Sequence, residues 1–483
     1  MSAFDANWSL MTPEIVLATL ALLIFTLDFM TGVKGKKPFV GRLSIIALLV
    51  TAGLVLIQRE TGSIAEIFIV DSFSSVFKVV ILIGVALVIG ISMYYVEKND
   101  DIYQGELYSL MLFATLGVML MVSSADLITL FIGLELLSIS SYCMAGFKKY
   151  KKKSTEAAIK YIILGGTASA FILYGMSFMY GLTGTTSLVE IGSQISALFA
   201  ANPYIVLMSL LFMVVGFGFK ISVVPFHMWA PDVYEGSPTP VTAFLTVVSK
   251  LAGFAILLRV FFVGFGGIFD EWGFVIAIIA ALTMIIGNVI ALTQSNVKRL
   301  MAYSGIAQAG YLLVPIAALI TLDLTVSIIM FYAIAYVMMT LGAFAIITLV
   351  TENSGSEDIS SFSGLYQRSP YLAIAMSAFL ISLAGLPISA GFVGKAWIFV
   401  NAISADMLWL AVIMIVTSII SFFYYFGIIK QMFMRQPKGD ATELKAPFAL
   451  SSVVTITLIV TVGLGALPFF LTNLFSGLQW MAF

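Results

Sequence analysis

Four ionisable residues, Glu135, Lys220, Lys250 and Lys395, lie deep inside apolar runs. Placing one lysine at a bilayer centre costs about 2.5–3.5 kcal/mol on insertion scales, so charges kept at that depth are expected to act. Their types suit an intramembrane proton relay, with a carboxylate setting the local field and ammonium groups exchanging a proton. His227 is the single histidine. Its ordinary pKa of about 6.5 suits proton transfer, although a lone histidine at a membrane edge equally serves packing.

Local context sharpens each position. Glu135 occupies Leu130-Phe-Ile-Gly-Leu-Glu135-Leu-Leu-Ser and has no counter-charge on its own helix, so its partner is expected from another helix. Lys220 is the natural candidate; the alternative is a static buried pair that only fixes packing. Lys220 closes Gly216-Phe-Gly-Phe-Lys220-Ile-Ser-Val-Val-Pro225-Phe-His227, one turn before a proline that removes a backbone donor and breaks the helix. Gly385-Leu-Pro387-Ile-Ser-Ala-Gly391-Phe-Val-Gly394-Lys395 repeats the pattern. Lys250 lies about three turns into its run, too deep to snorkel. Burial without a counter-charge makes it a site that can load and release a proton. Asn288, Tyr303, Ser304 and Gln308 add polar groups that either line a water file or bind helices together.

The elements that must position these residues follow from composition. With 61% hydrophobic residues, 10% charged and a mean hydropathy of +1.08, the chain reads as an all-α polytopic membrane protein. Runs long enough to cross about 30 Å of hydrocarbon predict fourteen transmembrane spans. They lie near 13–31, 40–58, 73–95, 107–124, 126–147, 156–181, 203–225, 239–263, 273–293, 301–320, 325–350, 370–403, 407–433 and 447–472. Spans seven and twelve are the two broken helices, each with a lysine at the break. They lie five spans apart, and repeating a five-helix unit in tandem inserts the second copy upside down. Paired interruptions of this kind point to a transport site. The expected division is a three-helix segment over 1–106, inverted repeats over 107–263 and 264–433, and a last span over 434–483.

Basic residues should gather in alternate loops on the cytoplasmic side. The odd-numbered loops carry Lys34, Lys36, Lys37 and Arg42; Lys98; Lys148, Lys149, Lys151, Lys152, Lys153 and Lys160; Lys298 and Arg299; Arg368; and Lys430, Arg435, Lys438 and Lys445. The even-numbered loops carry Arg59 and Lys78, while Arg259 is expected to snorkel from the outer end of span eight. Both termini are therefore expected outside, with Ser154 and Ser187 on opposite sides. The Lys148–Lys153 cluster reads as a topology determinant or an anionic-lipid or partner site. The connections around Asp100, Gly184–Asn202 and Glu352–Ser369 are too short for a soluble domain.

The single cysteine, Cys143, excludes a disulfide framework, and the net charge of −1 argues against a nucleic-acid partner. There is no P-loop, dinucleotide fingerprint, Cys/His cluster or nucleophile triad. No cofactor is expected in this chain, so its driving force must come from a partner subunit or an ion gradient.

The run Val224-Pro-Phe-His227-Met-Trp-Ala-Pro-Asp232-Val-Tyr-Glu235-Gly-Ser-Pro-Thr-Pro-Val-Thr-Ala-Phe resembles the antiporter-like membrane subunits of respiratory complex I and their antiporter relatives. Lys298-Arg-Leu-Met-Ala-Tyr-Ser-Gly-Ile-Ala-Gln-Ala-Gly310 is similar to a second signature of that family. The resemblance covers essentially all fourteen spans. It implies inverted five-helix bundles, Glu135 paired with Lys220, Lys250 as central relay residue and Lys395 as the terminal lysine of the second half-channel. The residues after Pro231-Asp232 and the chain's end at Phe483, without a long lateral helix, distinguish it from two sister subunits. The resemblance further implies neighbouring membrane-arm subunits in a hetero-oligomer, with NADH, FMN, iron-sulfur clusters and quinone handled in partners. The absence of a basic leader or transit sequence points to a bacterial plasma membrane. Competing readings are a subunit of a multisubunit sodium/proton antiporter and a structural scaffold whose polar residues only fix packing.

Overall fold

The computed structural model describes residues 7–31, 38–58, 60–99, 104–437, 443–476, 478 and 480. Hydrocarbon offers no partners for backbone polar groups, so the apolar runs close their hydrogen bonds internally as helices. Among the described residues, thirteen helices are long and apolar enough to cross a membrane. They coincide with the expected runs to within a few residues, except at span twelve. That region forms two shorter helices, Pro370–Ala384 and Ala390–Ser404.

Burial separates a central axis from a rim. Spans eight (Thr239–Gly264) and ten (Val297–Ala317) are entirely enclosed by other helices, and span eleven (Leu322–Ser354) nearly so. Spans one, six and thirteen expose most of their length. Small residues bring the helices of the axis and their partners close. A Cβ on Gly117 would stand 2.7 Å from the carbonyl oxygen of Gly133, fixing span four on span five (Leu127–Ala145). A Cβ on Gly310 would meet Met284 at 2.7 Å, and this does the same for span ten on span nine (Phe269–Ala291).

Both expected breaks are present. The seventh span runs as Pro203–Lys220, turns through 221–228 with Ser222 at φ +60°, and resumes as Trp229–Gly236. Trp229 holds the second piece in place: its Nε1 donates to Phe219 O at 2.9 Å, and its ring stacks on Tyr161 at 4.5 Å. In the twelfth span Gly385 takes φ +82°, and Ser382 Oγ accepts from the Gly391 amide at 3.0 Å. Gly391 is required there, because a Cβ would lie 1.8 Å from Ser382 O.

Several expectations need correction. Gly184–Asn202 is not plain loop; Leu188, Ile191 and Ile195 recur at helical spacing and bury one face of the helix Leu188–Ala201. Gly62–Ile64 and Phe68–Val70 form a small antiparallel hairpin in an otherwise helical chain. Lys78 is not a loop residue but lies inside the helix Ser72–Lys98, 2% exposed. Arg259 does not snorkel; it is fully enclosed, because a buried carboxylate offers it a better partner than distant water. His227 lies within the 221–228 break, between the two helices of span seven. Lys34, Lys36, Lys37, Arg59, Asp100, Lys438 and Phe483 lie outside the described residues.

Ser154 and Ser187 are both buried, so neither suits labelling from water. Exposed Lys152 and Ser193 lie at opposite ends of the same region. In a Cys143→Ser background, Lys152→Cys and Ser193→Cys should react with an impermeant maleimide from opposite sides of sealed vesicles. Reaction from one side would remove a span from this topology.

Candidate functional site

The three deep lysines are buried, and each ammonium meets a neutral oxygen. Lys220 Nζ, at the end of the first half of span seven, donates to Ser138 Oγ at 2.9 Å. Lys250 Nζ donates to the carbonyl of Gly305 at 2.5 Å. A Cβ on Gly305 would stand 3.0 Å from that nitrogen, a contact tight enough that the ammonium would have to shift by a few tenths of an ångström. Lys395 Nζ reaches back across the break of span twelve to Leu383 O at 3.0 Å and Ala384 O at 3.2 Å. These are end-of-helix carbonyls without intrahelical donors, and a cation there also complements the helix dipole. The same ammonium sits 4.5 Å from the Tyr311 ring centroid.

Glu135 and Lys220 do not meet directly. Glu135 is half-buried and accepts from Ser169 Oγ at 2.5 Å, while Lys220 takes Ser138, one turn further along the glutamate's own helix. His227 is buried, with Nδ1 lacking a hydrogen-bond partner.

Span eight is locally widened. Leu245–Ser249 and Val260–Gly264 are π-helical, so Lys250 follows directly on a wide turn. Such turns leave backbone oxygens for side chains, and Tyr336 Oη donates to Thr246 O at 3.3 Å.

From Lys250 the polar groups run on toward Lys395 along one helix. Ser304, beside Gly305, shares a short hydrogen bond with Tyr425. Gln308 accepts from Tyr332 and donates to Leu383 O, the same carbonyl that holds Lys395. Tyr311 accepts from Asn288 at 3.3 Å, and Asn288 accepts from Tyr424 at 3.0 Å. The polar residues of spans nine and ten thus line up between the two lysines. Tyr303 is buried but is not one of these linked groups.

Other buried cations are held differently. Lys78 pairs with Glu14 at 2.6 Å, both 2% exposed. Arg259 grips Asp71 through two nitrogens at 2.6 and 3.1 Å, donates to Val122 O at 3.0 Å and covers the Phe73 ring. Asp71 also caps the helix Ser72–Lys98 reciprocally with Ser74. These pairs escaped the sequence reading because Glu14 and Asp71 fall at the starts of apolar runs, where a carboxylate looks like a loop residue.

A charge cluster closes the side bearing the basic loops. Asp232, on the short helix Trp229–Gly236, accepts from Lys160 at 2.6 Å and Arg299 at 2.7 Å. Glu235 accepts from Lys153 at 2.8 Å and Arg299 at 3.0 Å. Lys298 pairs with Glu357 at 2.6 Å and donates to Ser237 O. Burial alone would raise the two carboxyls, but Lys160 and Arg299 hold Asp232 below its ordinary value, and Lys153 and Arg299 do the same for Glu235. Among the described residues no group of three or more His, Cys, Asp or Glu could hold a metal ion.

The NADH:quinone oxidoreductase/Mrp antiporter transmembrane family matches residues 124–421. NADH-quinone oxidoreductase subunit N of Brevibacillus brevis is 44% identical, over 97% of this chain and 95% of the relative. The protein of the same name from a Geobacillus species is 45% identical, over 96% of each. Among solved structures, a chain of respiratory complex I from Thermus thermophilus superposes with a TM-score of 0.80 at 31% identity, over 96% of this chain and 99% of that one.

Because Asp232 and Glu235 have depressed folded-state pKa values, their ion pairs stabilise the fold fully above the ordinary values of 3.8 and 4.5. That contribution is lost as pH falls through the lower folded values. Asp232→Asn with Glu235→Gln should lower the unfolding temperature at pH 7, and the difference from the parent should shrink progressively in scans taken below pH 4.5.

Proposed function

We propose, from the premise that the chain belongs to the subunit N branch of the NADH:quinone oxidoreductase/Mrp antiporter family, that its proton path runs through Lys220, Lys250 and Lys395. The chain is a multi-pass, antiporter-like, proton-translocating membrane subunit of NADH-quinone oxidoreductase, working within a hetero-oligomer of membrane-arm subunits. Glu135 biases Lys220 through Ser138 and the surrounding field, and His227 serves protons at the break of span seven. The relay works as two inverted repeats, 107–263 and 264–433, flanked by the segments 1–106 and 434–483. NADH, FMN, iron-sulfur clusters and quinone belong to partner subunits, and this chain carries no redox centre. It resides in the bacterial plasma membrane with both termini outside.

One observation carries this reading: the three lysines rest on neutral acceptors, whereas Lys78 and Arg259 rest on carboxylates. An ammonium held by a hydroxyl or carbonyl can give up its proton and remain neutral among neutral groups. Removing the charge from a carboxylate-paired cation strands a buried anion, a loss of about 3–5 kcal/mol. The first kind can carry protons; the second holds helices together. Moving one charge across 100 mV takes about 2.3 kcal/mol. That equals between one and two pKa units at about 1.4 kcal/mol each, so modest shifts in proton affinity suffice.

Lys250 gives the most direct test, because methionine keeps its bulk without charge and arginine keeps the charge but does not release a proton. Lys250→Met should assemble and accept electrons from NADH, with proton pumping reduced about tenfold or more, a cost of at least about 1.4 kcal/mol. Lys250→Arg should recover little. Parent-like pumping by Lys250→Arg in coupled vesicles would show that proton release there is unnecessary. Glu135→Gln keeps an acceptor for Ser169, so assembly should survive while pumping falls; unchanged pumping would remove Glu135 from the mechanism.

A further inference from the structure

Away from the lysine path, a cavity of about 350 Å³ lies between the start of span eleven, the second half of span twelve and the helix Phe469–Phe475. Its volume falls within the range of small-ligand pockets. Leu324, Ile328, Val400 and Phe475 supply carbon surface, and no charged side chain lines it among the described residues. Asn401 also lines the cavity. It is 3% exposed, and neither its Nδ2 nor its Oδ1 has a hydrogen-bond partner. Leaving an amide buried and unpaired costs about 1–3 kcal/mol, so a polar group from outside the chain is expected there.

Of the other hydroxyls of the wall, that of Ser404 belongs to an exposed residue and three are engaged. Thr472 and Ser476 donate to backbone carbonyls of their own helix, and Ser327 accepts from Trp480 Nε1. A mostly carbon-walled space with one buried, unpaired amide suits an apolar chain bearing one uncharged acceptor better than it suits a buried water cluster, because a buried water needs two to four polar partners. Depth favours the same ligand. Asn401 lies one turn from the end of Ala390–Ser404, and Leu324 lies in the first turn of Leu322–Ser354. Both are therefore close to the level at which hydrocarbon gives way to lipid ester groups. The mouth is bordered by Val400, 58% exposed, and Leu324, 43% exposed.

We infer that this cavity is a binding site for a membrane phospholipid, with Asn401 Nδ2 donating to an acyl ester carbonyl and the adjoining acyl chain lying on Leu324, Ile328, Val400 and Phe475. The site lies on the membrane face opposite the basic loops. It rests on the membrane-spanning reading above and not on the lysine relay.

The test uses the purified whole complex, reconstituted with a phospholipid carrying a diazirine near the acyl carbonyl and irradiated. Adducts should map to residues 320–328, 397–404 and 472–476. Asn401→Leu removes the amide at nearly constant volume and should reduce those adducts about fivefold, the loss of about one net hydrogen bond. Adducts on the lipid-facing side of the helix Leu408–Met434 should not change. Val400→Trp, which narrows the mouth and leaves Asn401 in place, should reduce the cavity adducts as well. Absence of adducts at these positions in the parent, or parent-like labelling of Asn401→Leu, would overturn the proposal. Lys250→Met should keep the adducts, so failure of the relay and failure of the lipid site give different results.

Discussion

A buried ammonium needs an oxygen, and the kind of oxygen decides what the ammonium can do. The protein answers this constraint by breaking helices. An intact membrane helix spends its carbonyls on itself, and lysine at its centre would meet only hydrocarbon. Interrupting span twelve frees Leu383 O and Ala384 O for Lys395, a dipolar, uncharged seat. Lys250 achieves the same end through Gly305, whose missing side chain exposes a carbonyl within an unbroken helix. Lys220 uses a hydroxyl brought by a neighbouring span. Three solutions share one result: a charge solvated by dipoles that remain content when the charge departs.

The carboxylate-paired cations tie together the helices around these three lysines. Asp71 and Arg259 tie the start of span three to the far end of span eight, the span that carries Lys250. At the opposite end, Arg299 bridges Asp232 and Glu235. The two sequence signatures that carry the family resemblance therefore meet physically. Asp232 and Glu235 belong to one, Lys298 and Arg299 to the other, and their contact pins the short helix after the first break to span ten. Apart from His227 in the first and Gly305 in the second, the charged residues of both signatures serve to fix helices to one another.

Much of this is legible in the amino-acid sequence. Apolar runs are long and their boundaries abrupt, so the spans emerge from hydropathy alone, and Pro225, Gly385 and Pro387 announce the breaks. Lysines deep in such runs identify themselves because few residues are so costly there. What stayed hidden was tertiary. No local pattern shows that Lys250 faces Gly305, 55 residues away, or that Lys220 meets Ser138 and not Glu135. Lys78 and Arg259 were misplaced because distance from a run's end measures depth in a bilayer, whereas burial also depends on which helices gather around that end. Glu14 and Asp71, each at such an end, show the difference.

The wide turn Leu245–Ser249 gives span eight a property that its composition does not express. A π-helical turn accommodates one residue more than an α-helical turn of the same span, with the surplus confined locally. Everything beyond it is rotated by about 100° relative to an uninterrupted α-helix, following from 3.6 residues per turn. Lys250, the first residue after that turn, owes its aim at Gly305 to this offset. Shortening the turn by one residue would leave every charged side chain in the chain and every span long enough to cross, yet swing Lys250 off the axis. The placement of Lys250 is thus encoded as a phase along a helix as much as by the lysine itself.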